Sequence, residues 1–190
     1  YFRNSEPVVW ERVEILSLIE QFQFNFLDDS RWQFIVSGLK NTIIITFFAV
    51  LLGIFLGFVI AIVRSTHDKT GKLKILNVIC RVYLTVIRGT PTMVQLLIVY
   101  YVIFATVDPG KIVVAIIAFG MNSAAYVAEI VRSGIMSIDQ GQFEAGRSLG
   151  LNYTQTMTKI ILPQAVKNIL PALGNELIVL LKETSISGYI

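Results

Sequence analysis

From Ile43 to Val63 the chain runs without a charged side chain, and that stretch decides what it can fold into. A hydrocarbon core about 30 Å thick is crossed by about 20 helical residues. Inside it every backbone N–H and C=O has to be bonded within the chain, which a helix achieves and an open strand does not. Several further apolar runs reach that length. Only 15% of the residues are charged and 54% are hydrophobic, against about 25% charged in a soluble domain. The fold class read from this is an all-α integral membrane protein. The formal net charge of +3 sits in particular loops and points to no nucleic-acid partner. Cys80 is the one cysteine, so no intramolecular disulfide is available, and it reads as a small apolar residue at a helix end.

Residues 1–33 are mixed in character. Val9, Val13, Leu16, Ile19, Phe22 and Phe26 recur every three or four positions, the pattern of an amphipathic helix lying at the interface or packed as an elbow. A first span covers Phe34 to Val63, with Gly53 and Gly57 four apart so that another helix can approach closely. The basic loop from Arg64 to Lys74 follows. A second span from Ile75 to Thr106 is interrupted at Arg88-Gly89-Thr90-Pro91, where proline removes a backbone donor. Asp108-Pro109-Gly110-Lys111 reads as a tight turn. A third span runs from Ile112 to Val131 and a long polar loop from Arg132 to Leu162. Pro163 suits the first turn of a fourth span, about Gln164 to Leu181. The chain begins without methionine and stops just after an apolar span. We therefore expect it to be part of a longer protein, with residues missing at both ends.

The basic residues set the expected orientation. The 64–74 and 132–162 loops carry Lys and Arg, while the 107–111 turn carries one lysine and one aspartate. By the positive-inside rule the two longer loops face the cytoplasm, and the N-terminal segment starts outside.

Four groups of residues stand out as candidates for function. In the long loop, Phe143, Glu144, Ala145 and Gly146 precede Gly150; Glu144-Ala145 opens a short helix, Gly150 permits a sharp turn, and Asn152 offers a cap for a second helix. A rigid two-helix finger can transmit displacement of a soluble partner, which a disordered loop would absorb; an ordinary cytoplasmic loop is the alternative. In the second span, Arg88, Thr90, Pro91 and Gln95 mark a break whose freed carbonyls need protein or a water-filled cavity as partners, or else a packing kink with an interfacial arginine. In the third span, Asn122, Ser123, Tyr126 and Glu129 lie close together, and Asn122, Tyr126, Glu129 and Ser133 share one helical face. An intramembrane acid is a functional hypothesis by default; the alternatives are an interhelical hydrogen-bond strip or a Glu129–Arg132 pair at the interface. Asn175, Glu176 and Glu183 complete the set in the fourth span, and with the small residues Ala124, Ala125, Ala172 and Gly174 the two helices could line a narrow hydrophilic path. No phosphate-binding loop of the G-x-x-x-x-G-K-[ST] type is present, so no ATPase or other enzymatic chemistry is expected of this chain. His67 alone is no metal site and reads as solvated.

The loop motif also carries a resemblance. Glu144-Ala145, then Gly150, then Ile160, Leu162 and Pro163 stand in the register of the EAA loop of bacterial ABC importer permeases, with Gly146 replacing the second alanine, a change that should loosen the helix slightly. Arg88-Gly89-Thr90-Pro91 followed by Gln95-Leu96 is similar to a recurring sequence of the polar amino-acid permeases. The resemblance implies a type I importer transmembrane domain over 34–190, about five spans in the full chain with four present here and the last missing, preceded by an extracytoplasmic or interfacial segment, 1–33. It implies a multi-pass protein of the bacterial cell membrane, with the loop cytoplasmic. It further implies cytoplasmic ATPase subunits that dock on the loop and hold ATP and Mg, no cofactor on this chain itself, a second permease subunit, identical or paralogous, and an extracytoplasmic binding protein delivering a polar amino acid. Acidic residues along the path would suit a cationic one. A secondary transporter using Glu129 and Glu176 as ion ligands and a non-transporting scaffold are the rival readings, and co-purification with an ATPase separates them.

The orientation has a direct check. Single cysteines replacing Lys69 and Gln142 in a Cys80→Ala background should be shielded from an impermeant thiol reagent outside the cell, and one replacing Pro109 should be labelled. The opposite pattern would invert the topology.

Overall fold

The computed structural model of the protein describes Gln23, Phe26, residues 30–107 and residues 109–190. The amphipathic pattern from Val9 to Phe22 and Asp108 of the expected turn lie outside the described residues. The chain divides into two compact units, 1–40 and 41–190. In the first, the described helix opens at Trp32, with Phe34 76% exposed. The second holds the rest of that helix and all the elements after it.

The first helix, α1 (Trp32–Thr70), has 39 residues, about 58 Å at about 1.5 Å per residue. Hydropathy falls at Arg64, but the helix continues through the Arg64–Thr70 segment, because polar residues leave the bilayer without leaving the helix. The expected 64–74 loop therefore shrinks to the few residues around Gly71, which takes φ +65°. His67 is not merely solvated: its Nδ1 donates to the Lys72 carbonyl at 2.8 Å and ties the helix end to that turn. Next comes α2 (Lys74–Gly89). Its apolar residues Ile75, Val78, Ile79, Val82 and Val86 are exposed, as befits a lipid-facing side, while Leu84 and Asn77 are buried. Cys80 sits in the middle of α2, not at a helix end.

The break at Thr90-Pro91 is larger than a kink. The helix α3 (Thr92–Ile98), widened into a π turn over Val99–Ile103, leaves α2 at 112°. Proline forces the preceding residue out of the helical region, and Thr90 accordingly adopts φ −119°, ψ 145°. The long central helix α4 (Lys111–Met136) follows. It extends past the expected end at Val131, again because its polar terminus stays helical. After α5 (Gln140–Ser148) and the short α6 (Tyr153–Thr156), a π turn at Met157–Ile161 leads straight into α7 (Leu162–Glu183). The expected polar loop is thus largely helical. Pro163 lies in the first turn of α7, as expected, although that helix continues directly from the widened π segment.

Among the described residues two helices are long and apolar enough to cross a membrane, within α1 and α4, and a third crossing exists if the bent α2–α3 pair counts as one. The expected fourth span, α7, has 22 residues, but Lys167, Asn168, Asn175 and Glu176 dilute its apolar character and it does not meet that test. It packs along α4.

Core packing centres on α4. Ala115, Ala118, Phe119, Ala124, Ala125, Val127, Ala128 and Val131 are all buried. In lipid, helices associate by close fit instead of by hydrophobic expulsion, and small residues allow it. The approach is very close at Gly57, where an added Cβ would lie 2.6 Å from Val127 Cγ1, and at Gly53, where it would lie 2.8 Å from Ser123 Cβ. Gly134 meets Ile169 of α7 in the same manner. Ala124 and Ala125 are therefore helix-packing surface and not the wall of an open path. Gly57→Leu should separate α1 from α4 at a cost of about 1–3 kcal/mol, the usual range for overpacking, seen as a lower thermal midpoint of the purified protein. An unchanged midpoint would show that the glycine contact is not needed.

Candidate functional site: the two-helix finger and the polar face of α4

The finger begins before Glu144. Asp139 caps α5, its Oδ1 accepting from the Gly141 N–H at 2.6 Å, so the helix opens at Gln140. At its other end the Gly150 N–H donates to Arg147 O at 2.9 Å and the Leu151 N–H to Gly146 O at 3.1 Å. These are the two bonds of a Schellman cap, whose C′ residue has to be left-handed, and Gly150 has φ +78°. The second helix is fixed by a reciprocal capping box: Asn152 Oδ1 accepts from the Gln155 N–H and Gln155 Oε1 from the Asn152 N–H, both at 2.9 Å. Each turn of the finger is thus held by its own hydrogen bonds, which makes it stiff.

One side of the finger faces inward. Phe143 packs on the cluster formed by Ala61, Val127, Ile138 and Ile161. Gly146 is buried against Thr156, where an added Cβ would lie 2.6 Å from Cγ2 and 2.8 Å from Oγ1. The glycine that replaces alanine in the loop motif is therefore set by a close approach, not by a looser helix. The buried anchor of the returning strand of the finger is Ile161; Ile160 is half-buried, and Leu162 and Pro163 are exposed. The outward side carries Glu144, Ala145 and, at the tip, Leu149, which is 75% exposed. Ile161, Thr156 and Leu149 were not among the expected site residues. Leu149 directly before Gly150 is the one sequence signal that marked the tip.

The residues of the polar break and of α4 form a connected network. Gln95 Nε2 donates to Ile87 O at 2.7 Å, Thr90 O at 2.9 Å and Thr90 Oγ1 at 2.7 Å, and its Oε1 accepts from Asn122 Nδ2 at 3.0 Å. The carbonyls freed by Pro91 are satisfied in this way, and the bend is pinned to α4. Tyr83 adds a second tie, its hydroxyl donating to the Met121 carbonyl. Asn122 is buried in this network, while Tyr126 is 39% exposed.

Glu129 does not pair with Arg132. Arg64 Nη1 lies 2.5 Å from its Oε1 and Arg88 Nη1 3.8 Å from the same atom, while Arg132 pairs with Asp68 at 3.4 Å. The Arg88 guanidinium also stands over the Tyr126 ring, 5.8 Å from its centroid. Ser133 turns back to its own helix and donates to Ile130 O. On another side of α4, Ser123 is buried and Glu176 comes near it, with Glu183 beside Thr92; Asn175 is exposed. The expected path residues thus divide into two groups. Arg88, Thr90, Pro91, Gln95, Asn122, Tyr126 and Glu129 are brought together, and Ser123, Glu176 and Glu183 make no hydrogen bond or ion pair with them. Arg64 and Arg81 were missed. Arg64 was read as a loop residue, and Arg81 stands seven positions before Arg88 on one face of α2, a spacing that could have exposed it.

An all-helical membrane domain with a polar break, paired intramembrane charges and a stiff finger between two of its helices defines the transmembrane part of a transporter. Residues 49–190 match the family model described as "Binding-protein-dependent transport system inner membrane component", and the chain belongs to that family. It is 35% identical over 178 residues to the L-cystine transport system permease protein TcyB of Bacillus subtilis, covering 92% of this chain and 73% of that one. It is 39% identical over 155 residues to the putative glutamine transport system permease protein GlnP of Rickettsia prowazekii, covering 80% and 69%. Among solved structures it is similar to an amino acid ABC transporter crystallised with histidines, at TM-score 0.74 and 43% identity over 81% of this chain and 70% of that one. The fold is that of a type I ABC importer transmembrane domain, and the chain is a permease subunit.

The Gly146–Thr156 contact yields a test of the finger's packing. In a helix alanine is favoured over glycine by about 1 kcal/mol, but Thr156 is buried and its Oγ1 is bonded to Asn152 O at 3.1 Å, so it cannot yield. Gly146→Ala should destabilise by about 1–3 kcal/mol in the native background and become neutral or stabilising beside Thr156→Ala. Equal effects in the two backgrounds, read from thermal midpoints, would remove the coupling.

Proposed function

We propose that this permease imports amino acids, provides the translocation path along the polar face of α4, and is driven through the 143–163 finger by cytoplasmic ATPase subunits that hold the ATP and Mg. The carrying observation is the finger itself: a helix pair capped at each turn, with Gly150 at φ +78° and Leu149 exposed at the tip. Such an element passes on a push with little loss. The names of the similar permeases and of the similar solved transporter support amino acids as cargo. An extracytoplasmic binding protein would deliver the amino acid, and a second permease subunit would complete the path. The 64–74 and 132–162 segments would face the cytoplasm, in line with their basic residues. A carrier driven by an ion gradient is less well supported, because it gives the stiff, capped finger no role.

In the reconstituted complex, Gly150→Pro removes the left-handed turn, since proline is confined to φ near −65°, and Glu144→Lys reverses an exposed charge on the docking side. Both should leave the complex assembled but lower ATP-driven uptake by about tenfold or more, the size expected for losing a charge-assisted contact or a fixed turn. Native uptake in both variants would remove the finger from the coupling mechanism.

A further inference from the structure

The cavity beside Glu129 holds more positive charge than its carboxylate neutralises. It measures about 340 Å³ and is lined by Arg64, Arg81, Thr85, Arg88 and Glu129, with Leu84 and Gly89. Arg64 is committed to Glu129 and its side chain is only 15% exposed. Arg88 stands at 3.8 Å from that carboxylate, beyond hydrogen-bond length, and its side chain is 45% exposed. Its position over the Tyr126 ring holds the guanidinium in place while leaving its edge open. Arg81 makes no ion pair with any described residue. Arg81, Thr85 and Arg88 follow one another at four and three positions on α2, so they present one face to the cavity. Three guanidiniums against one carboxylate leave a surplus of two positive charges between helices that are otherwise apolar. Like charges so placed repel unless an anion joins them, and the guanidinium fork matches a carboxylate with two parallel hydrogen bonds.

We propose that this cavity is the subsite for the backbone end of the transported amino acid, with Arg81 and Arg88 binding its α-carboxylate and Glu129 facing its α-ammonium. The inference rests on the amino-acid importer reading and adds Arg81 and Arg64 to the residues that serve it. The mixed charge favours a zwitterion over a phosphate, because Glu129 stands among the arginines and repels a group that carries only negative charge. Arg64 acts as a positioning residue that holds the Glu129 carboxylate in place. The surplus positive charge is directed at the carboxylate shared by all amino acids, so the acids on this face do not select a cationic side chain, contrary to what the sequence suggested.

The test uses the complete transporter, with its ATPase and binding protein, in vesicles of pure phosphatidylcholine and in vesicles that also contain phosphatidylglycerol. The probes are radiolabelled L-arginine, L-glutamine and L-cystine. For whichever of these the native complex carries, Arg81→Gln should lower uptake at sub-saturating substrate by at least about tenfold in both lipids, and Arg81→Lys should keep an intermediate rate. Lys111→Gln, which removes an exposed charge far along the sequence from the cavity, should leave uptake unchanged. Uptake by Arg81→Gln equal to the native rate would overturn the proposal. So would native uptake that needs phosphatidylglycerol and loses that dependence in Arg81→Gln, because the cavity would then hold a lipid phosphate. If the native complex carries none of the three probes in either lipid, the importer reading itself fails and this inference falls with it.

Discussion

The structure depends on how closely other helices can approach α4. Lipid tails are as apolar as the side chains, so burial alone does not hold spans together, and the helices need small surfaces that let backbones nearly touch. Gly53 and Gly57 supply that surface on α1, Gly120 and Gly134 on α4, and the alanines of α4 fill the seam between them. That fit fixes the register of everything polar. Glu129 meets Arg64 because α1 lies against α4 near Val127 and Val131, and Asn122 meets Gln95 because α3 crosses the same helix. Side chains 65 and 27 positions apart in the sequence become neighbours through one packed seam.

The break at Pro91 shows how such a seam supports an otherwise costly feature. A helix end within a membrane leaves carbonyls without donors. Gln95 returns to cover those of Ile87 and Thr90 and uses its oxygen to accept from Asn122. One buried side chain thus satisfies the break and fastens it to α4. Since each buried partner left alone would cost about 1–3 kcal/mol, the 112° bend is a fixed feature of the fold and holds Arg88 beside Glu129.

Much of this was legible in the chain, for reasons that differ between elements. The spans in α1 and α4 announce themselves because a membrane helix must be apolar over its whole crossing. Their ends do not, because hydropathy reports where a helix leaves lipid and not where it stops, and α1 runs on to Thr70 and α4 to Met136. Gly150 and Asn152 were readable from local chemistry alone, since a positive φ and a capping box depend on neighbours in sequence. Thr156 against Gly146 was not, and the reason is physical: the contact depends on how the returning helix folds over α5, which no local pattern specifies. The same holds for Arg64. Its partner lies on another helix, so sequence could offer only the nearby Arg132, which the structure gives to Asp68.

The proposed coupling places the force on the outward side of the finger, while its inward side is packed on the cluster around Ile161 and Val127. Displacement of the finger would then move α4 and α7 together, because both are joined to that cluster. The most direct measurement is site-specific photocrosslinking in the assembled complex, with a photoreactive residue at Leu149, at the finger's tip, and separately at Ile75, which is 79% exposed on α2. Crosslinking to the ATPase subunit is expected from Leu149 and not from Ile75. A crosslink from Ile75 with none from Leu149 would contradict the finger as the point where the ATPase acts.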